Sequence, residues 1–177
     1  MKIICPFTNQ VLSKAQSCKG HIIPRSLNGS MTVTTNRKID NLIGKDYDAR
    51  LVNYVRRMNK YVQGVTNDPA RLKHPIRCYL SLIHSAILFM TKNNLRVGNY
   101  NFFKYILIKS LKELGSVTEE EWNRVKATCS FKNTKDFEIS YSEKMRIVAF
   151  KYDEALYGIF DLFGTLPEEF SKAYVVE

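Results

Sequence analysis

The sequence predicts an α+β protein with an N-terminal ββα module, a helical middle and a small C-terminal antiparallel sheet. Short apolar runs bounded by turn residues open the chain, helical hydrophobic spacing follows from Asn36 to Val125, and strand-like runs return after Phe137. With 177 residues, 45% of them hydrophobic, the chain can bury one full core, or one core with a small appendage.

The N-terminal elements are short and apolar, and we expect strands over 2–4, 10–12, 20–24 and 31–34. The third of these carries His21 and ends at Pro24, which has no N–H group to donate to a neighbouring strand. The Asn28-Gly29 pair supplies the turn that follows it. This part of the chain therefore predicts a hairpin.

Helical spacing comes next, and we expect helices over 36–43, about 48–62, 79–90 and 102–111, then a short helix through Trp122 and Val125. Gly44 is expected to end the first helix. Thr118 and Glu121 have the spacing of a capping box for the last one. The 79–90 helix is apolar nearly all round, so we expect it to be buried, with His84 as a core histidine whose hydrogen bonds are satisfied.

The C-terminal part has the short apolar runs of a sheet, and we expect antiparallel strands over 137–141, 146–152, 156–163 and 173–176. Residues 64–75 contain Gly, Asn, Asp and Pro and are expected to be a connector. We therefore expect two units, a ββα module over 1–62 and a helical and sheet domain over 76–177 packed on it.

Positive charge is concentrated near the N-terminus. The net charge is +10, and residues 1–75 hold 13 Lys/Arg against 4 Asp/Glu, whereas residues 76–177 hold 14 against 13. This asymmetry favours a polyanionic partner, which we expect to be nucleic acid, with DNA the expected form rather than RNA.

No apolar run reaches the roughly 18 residues of a membrane span, and the first residues do not resemble a signal peptide. We expect a soluble cytoplasmic protein with no membrane partner.

The four cysteines are widely scattered at Cys5, Cys18, Cys78 and Cys129, and none forms a Cys-x-x-Cys pair. Structural zinc sites with four thiolates use such close pairs. We therefore expect reduced thiols, with Cys78 and Cys129 acting as small buried apolar residues.

His21 is the residue best placed for catalysis. It is one of only three histidines and lies at a junction between a strand and a turn. Imidazole can take a proton from water near neutral pH. A hairpin followed by a helix can hold a phosphate and a metal ion between the two, with ligands from both.

Two ordered segments carry a resemblance to a known family. These are His21-Ile22-Ile23-Pro24-Arg25-Ser26-Leu27-Asn28-Gly29 and, later, Asp40-Asn41-Leu42-Ile43-Gly44-Lys45-Asp46-Tyr47-Asp48. Together they resemble the HNH endonucleases, whose nuclease core is the ββα-metal fold. The resemblance covers roughly residues 1–52 and implies an HNH-like module that hydrolyses phosphodiester bonds with Mg²⁺ or Mn²⁺.

The resemblance assigns roles residue by residue. His21 falls on the general base, and either Asp40 or Asn41 falls on the helix position that offers a metal ligand. Asn36 either orients His21 through a hydrogen bond or caps the helix, and Asp48 is expected to be structural. We expect five basic side chains to contact the phosphates of the nucleic acid, namely Arg25, Arg37, Lys38, Arg56 and Arg57.

The chain departs from the family pattern at two points. The residue before the histidine is normally the first metal ligand, and here it is Gly20, which has no side chain to offer. Either phosphate oxygens and water complete the metal shell, or Asp46 or Asp48 reaches in, or the site is inactive. The Cys-x-x-Cys pairs that hold zinc in many relatives are also missing, so no structural zinc is expected.

These departures leave three functions open. The leading one is a metal-dependent HNH-type endonuclease. The second is a catalytically degenerate HNH-fold protein that binds nucleic acid or a protein partner without cleavage. The third is an interaction protein whose basic face meets an acidic protein.

Overall fold

The computed structural model describes residues 2–67, 73–93 and 100–126, and the backbone of four C-terminal segments over 137–140, 146–152, 155–161 and 173–176. The architecture is a mixture of helices and small antiparallel sheets, and this confirms the predicted α+β class. Cys129 and the ends of two predicted strands, residues 141 and 162–163, lie outside the described residues.

The N-terminal strands form two antiparallel pairs. Strand β1 (Ile3–Ile4) pairs with β2 (Val11–Leu12), and β3 (Ser17–His21) pairs with β4 (Thr32–Asn36). In the second pair His21 lies opposite Thr32. The predicted hairpin is therefore present.

The strand predicted over 20–24 is shifted toward the N-terminus, since β3 ends at His21. The reason is that Ile22 and Ile23 are both buried, and successive residues of a strand cannot point into the same core. The chain turns inward there and passes from Pro24 into a 3₁₀ turn over Arg25–Leu27. Asn28 closes that turn in the left-handed region, with φ of 65°.

Helix α1 (Arg37–Ile43) ends directly before Gly44, as predicted, but the chain does not leave its helical path there. Gly44 keeps right-handed helical angles, and a wider π-helical turn over Gly44–Asp48 carries the chain into α2 (Ala49–Val62). A glycine stop needs the left-handed conformation. Here Ile43 and Tyr47 are both buried, and their packing keeps the chain helical through Gly44.

Three further helices match the predicted ones, namely α3 (Pro75–Asn93), α4 (Tyr100–Lys112) and α5 (Glu119–Lys126). The capping box of α5 is confirmed, because the Thr118 N–H donates to Glu121 at 2.7 Å and the Glu121 N–H donates to the Thr118 hydroxyl at 3.2 Å. Among the described residues, no helix has both the length and the apolar character needed to cross a bilayer.

The C-terminal strands form one four-stranded antiparallel sheet in the order β5 (Phe137–Ser140), β6 (Arg146–Tyr152), β7 (Ala155–Asp161) and β8 (Ala173–Val176). The predicted antiparallel sheet is therefore confirmed, and the structure adds its strand order.

A single hydrophobic core joins the hairpin to the helices. Ile22 and Leu27 near the hairpin, Ile43 of α1, Leu80 of α3 and Leu107 of α4 belong to the same cluster of buried residues, and each is fully buried. The core thus crosses the boundary predicted between residues 62 and 76. Helix α3, which is buried continuously from Cys78 to Met90, lies directly behind the predicted nuclease module.

Candidate active site

A cavity of about 640 Å³ opens where the end of β3, the helices α1 and α2, and the buried helix α3 meet. It gathers ionisable side chains from all of these elements. The lining ionisable residues are His21, Arg25, Asp40, Asp48, Arg56 and His84.

The end of the hairpin strand presents His21 to this cavity. His21 is the last residue of β3 and is partly buried, and Pro24, Arg25 and Ser26 of the following turn line the same space. The inward turn of the chain at Ile22 therefore leaves both the histidine and the exposed Arg25 on the wall of the same cavity.

Asp40 fills the space that Gly20 leaves open. A β-carbon placed on Gly20 would overlap the Asp40 Oδ1 atom and the Thr35 methyl group. The helix α1 thus inserts its carboxylate beside β3 at Gly20. Of the two candidate ligands, Asp40 lines the cavity, whereas Asn41 is exposed and lines a different one.

The two oxygens of Asp40 have different surroundings. The Cys18 thiol donates to Oδ2 at 3.7 Å. Burial and the charge of Asp40 raise the pKa of Cys18 to about 11, so the thiol stays protonated and remains a donor. The other oxygen, Oδ1, is buried, has no hydrogen-bond partner among the described residues, and lies 3.7 Å from Nε2 of His84.

His84 lies between two carboxylates. It is 2% exposed and packs against the Phe7 ring, with 5.4 Å between the ring centroids. Its Nδ1 is 3.8 Å from Asp48 Oδ1, and that oxygen accepts a hydrogen bond of 2.6 Å from the Ser81 hydroxyl. Burial by itself lowers the pKa of His84, but Asp40 and Asp48 outweigh it and raise the pKa to about 9.

The expectation that His84 is a satisfied core histidine is only half right. The residue is buried in the helix as predicted, but its Nε2 has no hydrogen-bond partner among the described residues and it lines the cavity. The sequence did hold a signal for this. Ser81, His84 and Ser85 are spaced three and four residues apart, so they form a buried polar stripe on one face of an otherwise apolar helix.

Asn36 lies away from His21. Its side-chain oxygen accepts hydrogen bonds from the Lys38 and Ile39 N–H groups at 3.0 and 3.2 Å, so it caps α1. In the β3–β4 pair Asn36 is opposite Ser17, at the end of β3 remote from His21. Of the two roles expected for Asn36, the structure therefore shows the helix cap and not the hydrogen bond to His21.

Two other predicted groups also lie apart from the cavity. Arg37 and Lys38 line the same separate depression as Asn41, and Arg37 donates to the Ser17 carbonyl at 3.1 Å. Asp46 points elsewhere, because both of its oxygens accept from Nε of Arg77 at 3.1 Å. Of the two aspartates considered as extra ligands, Asp48 is therefore the one at the cavity.

A basic groove continues from the cavity along α2. Asn53 and Arg56 line both spaces. The groove is lined by five cationic side chains, which are Arg50, Arg56, Arg57, Lys60 and Lys73. Of the predicted phosphate contacts, Arg25 and Arg56 lie at the cavity and Arg57 lies in this groove.

In the part of the chain that the structure describes, no group of three or more His, Cys, Asp or Glu side chains is arranged to hold a metal ion. Comparison with models of protein families, with curated proteins and with solved structures finds no match to this chain. The function is therefore inferred from the cavity itself.

The close approach of Asp40 to Gly20 predicts that Gly20→Ala destabilises the protein by roughly 1–3 kcal/mol, because the added methyl group must displace the carboxylate or the hairpin. Gly44→Ala is the matched control, since a β-carbon there meets nothing within 4 Å and the position is helical. We expect it to stabilise by about 0.5–1 kcal/mol. Urea unfolding of both variants measures the difference, and equal effects would contradict the packing described.

The raised pKa of His84 predicts a stability that depends on pH. The charged imidazole stabilises the fold fully below its unfolded value near 6.5, and this contribution is lost as pH rises through about 9. In buffer with a metal chelator, we expect the wild type to lose up to about 3 kcal/mol relative to His84→Gln between pH 6.5 and 9.5. Parallel pH profiles of unfolding free energy for the two proteins would contradict this.

Proposed function

We propose that this chain is a metal-dependent endonuclease of the HNH type that hydrolyses phosphodiester bonds in nucleic acid, with DNA the expected substrate. One observation carries the proposal. His21 from the hairpin strand and Asp40 from the following helix line one cavity, together with the exposed Arg25 and Arg56. A base, an anionic ligand and phosphate-binding cations are the parts that phosphodiester hydrolysis needs.

In this mechanism His21 is the general base. Its imidazole takes a proton from the water that attacks phosphorus, and the bond from phosphorus to the leaving oxygen breaks. Arg25 follows the histidine strand directly and is placed to bind a phosphate oxygen near the scissile bond. Both groups belong to the same short stretch of backbone, so their separation is fixed by the buried Ile22 and Ile23 between them.

The cavity offers a place for the divalent ion that the family resemblance implies. Asp40 Oδ1 is buried and has no hydrogen-bond partner among the described residues, which is the state expected of an oxygen that holds a cation. When bound there, Mg²⁺ or Mn²⁺ would stabilise negative charge on the phosphate and on the leaving oxygen. Asp40 stands in for the ligand that Gly20 cannot supply.

The basic groove supports nucleic acid as the partner. Four of its five cations lie along α2, the fifth, Lys73, lies just before α3, and the groove reaches the cavity through Arg56. A strand of nucleic acid carries phosphates at regular intervals, so a groove of this kind holds it through several contacts that are sensitive to salt. The groove would lead the backbone of the substrate to His21.

A binding protein that does not cut is the second candidate, and one observation favours it. Asp40 already lies against the His84 imidazole, whose pKa is raised to about 9, so a protonated histidine can neutralise the carboxylate in place of a metal ion. The fold and the groove would then serve binding alone.

Substitution of the base separates the two candidates. We expect His21→Ala to lower the rate of plasmid nicking in Mg²⁺ or Mn²⁺ by at least about 100-fold, because the attacking water loses its proton acceptor. DNA affinity should stay within about twofold. Lys14→Ala, an exposed cation in a turn that lines neither the cavity nor the groove, is the control and should cut normally. Unchanged nicking by His21→Ala would refute the mechanism, and absence of nicking in the wild type would favour the binding protein.

The groove makes a separate prediction about salt. We expect Arg57→Ala/Lys60→Ala to weaken DNA binding and to reduce the slope of log K against log salt by roughly 2, because two phosphate contacts are lost. Lys14→Ala/Lys112→Ala removes the same charge from exposed positions outside the groove. Fluorescence anisotropy at several salt concentrations measures both slopes, and an equal loss in the two double variants would contradict a specific groove.

A further inference from the structure

We infer that His84, a residue of α3 outside the ββα module, is a nitrogen ligand of a divalent metal ion that it holds together with Asp40. The inference deepens the proposed function, because it rests on that function for the role of the ion, but the metal site itself can be measured without nucleic acid. Two atoms carry it. Nε2 of His84 and Oδ1 of Asp40 are both buried, both lack a hydrogen-bond partner among the described residues, and lie 3.7 Å apart.

Their separation is too long for a hydrogen bond and suits a shared ion. An N···O hydrogen bond has a length of about 2.7–3.2 Å. Metal bonds of about 2.1 Å place neighbouring ligand atoms roughly 3.0–3.4 Å apart, so the two atoms, now 3.7 Å apart, would close by a few tenths of an ångström around a shared ion. Without an ion, only a protonated imidazole offsets the charge of Asp40 among the described residues, through this 3.7 Å ion contact and with no hydrogen bond to either atom, whereas a bound ion would make a direct bond to each.

The opposite edge of the imidazole also faces a carboxylate. A histidine that binds a metal usually directs its other N–H at such a group, which fixes the orientation of the ring. Here Nδ1 lies 3.8 Å from Asp48 Oδ1, which is an ion-pair distance and not a hydrogen bond, and the Ser81 hydroxyl donates to that oxygen at 2.6 Å. The Phe7 ring packs beside the imidazole at 5.4 Å and restricts its rotation.

This pair explains how the chain manages without a ligand at position 20. Asp40 takes the space beside the strand, and His84 reaches the same carboxylate from the buried helix. Ligation needs the neutral imidazole, so the ion replaces a proton at Nε2. A mixed nitrogen and oxygen donor pair favours Mn²⁺ over Mg²⁺, because imidazole is a poor ligand for Mg²⁺.

The number of histidines allows a direct test. In the untagged double variant His21→Ala/His74→Ala, His84 is the only histidine left in the chain. We expect Mn²⁺ bound to this variant to show imidazole nitrogen coupling in electron spin echo envelope modulation. We expect His84→Gln, with the other two histidines intact, to lose that coupling and to bind Mn²⁺ at least about tenfold more weakly in calorimetry.

Each outcome decides the inference. Nitrogen coupling that persists in His84→Gln, or bound Mn²⁺ without coupling in the double variant, would show that His84 is not the ligand. Failure of the double variant to bind Mn²⁺ would equally overturn it. The double variant leaves the buried His84 in place, so its result stands even where His84→Gln fails to fold. Plasmid nicking by the wild type is measured separately. A negative result for the His84 metal site therefore does not refute the nuclease function, and a negative result for nicking does not refute the metal site.

Discussion

The position of the Asp40 carboxylate is the constraint on which the rest of the site depends. It lies where a side chain on Gly20 would otherwise be, so the glycine and the aspartate require each other. The Cys18 thiol fixes one oxygen, and the other is left facing His84. A single carboxylate therefore joins the hairpin, the first helix and the buried helix α3, and any change that moves it disturbs all three.

The buried helix has a larger part in this site than its apolar composition indicates. Its apolar side chains belong to the hydrophobic core, while Ser81 contacts Asp48 and His84 contacts both Asp40 and Asp48. A histidine between two carboxylates is costly to bury unless its charge, or that of a metal ion, neutralises them. Such an arrangement is hard to explain by packing alone, because three apolar residues would fill the same volume without unpaired polar atoms.

Much of the fold follows from local patterns, because hydrophobic spacing and capping residues act within a few positions of the chain. The helices, the hairpin and the C-terminal sheet were predictable for that reason. The sequence missed the helical continuation past Gly44 and placed the end of the strand too late, at Pro24. In both places burial overrode the local preference, since the packing of Tyr47 and of two successive isoleucines is decided by distant elements. Asp40 could be proposed from its place in a motif. Its fit against Gly20, however, depends on a contact across 20 positions of the chain, and its pairing with His84 depends on a contact across 44 positions. No periodicity in a sequence reports contacts of that kind.

The lack of Cys-x-x-Cys pairs in the sequence and the position of His84 beside Asp40 are connected through helix α3. A hairpin and one helix bury too little apolar surface to be stable alone, which is why small metal-bound modules depend on zinc for folding. In this chain the hairpin and α1 share one core with α3 and α4 through Ile22, Leu27 and Ile43. Packing against α3 buries apolar surface of the hairpin and of α1, and it also brings His84 to Asp40. The helix that stabilises the hairpin and the histidine that faces Asp40 therefore belong to one structural element.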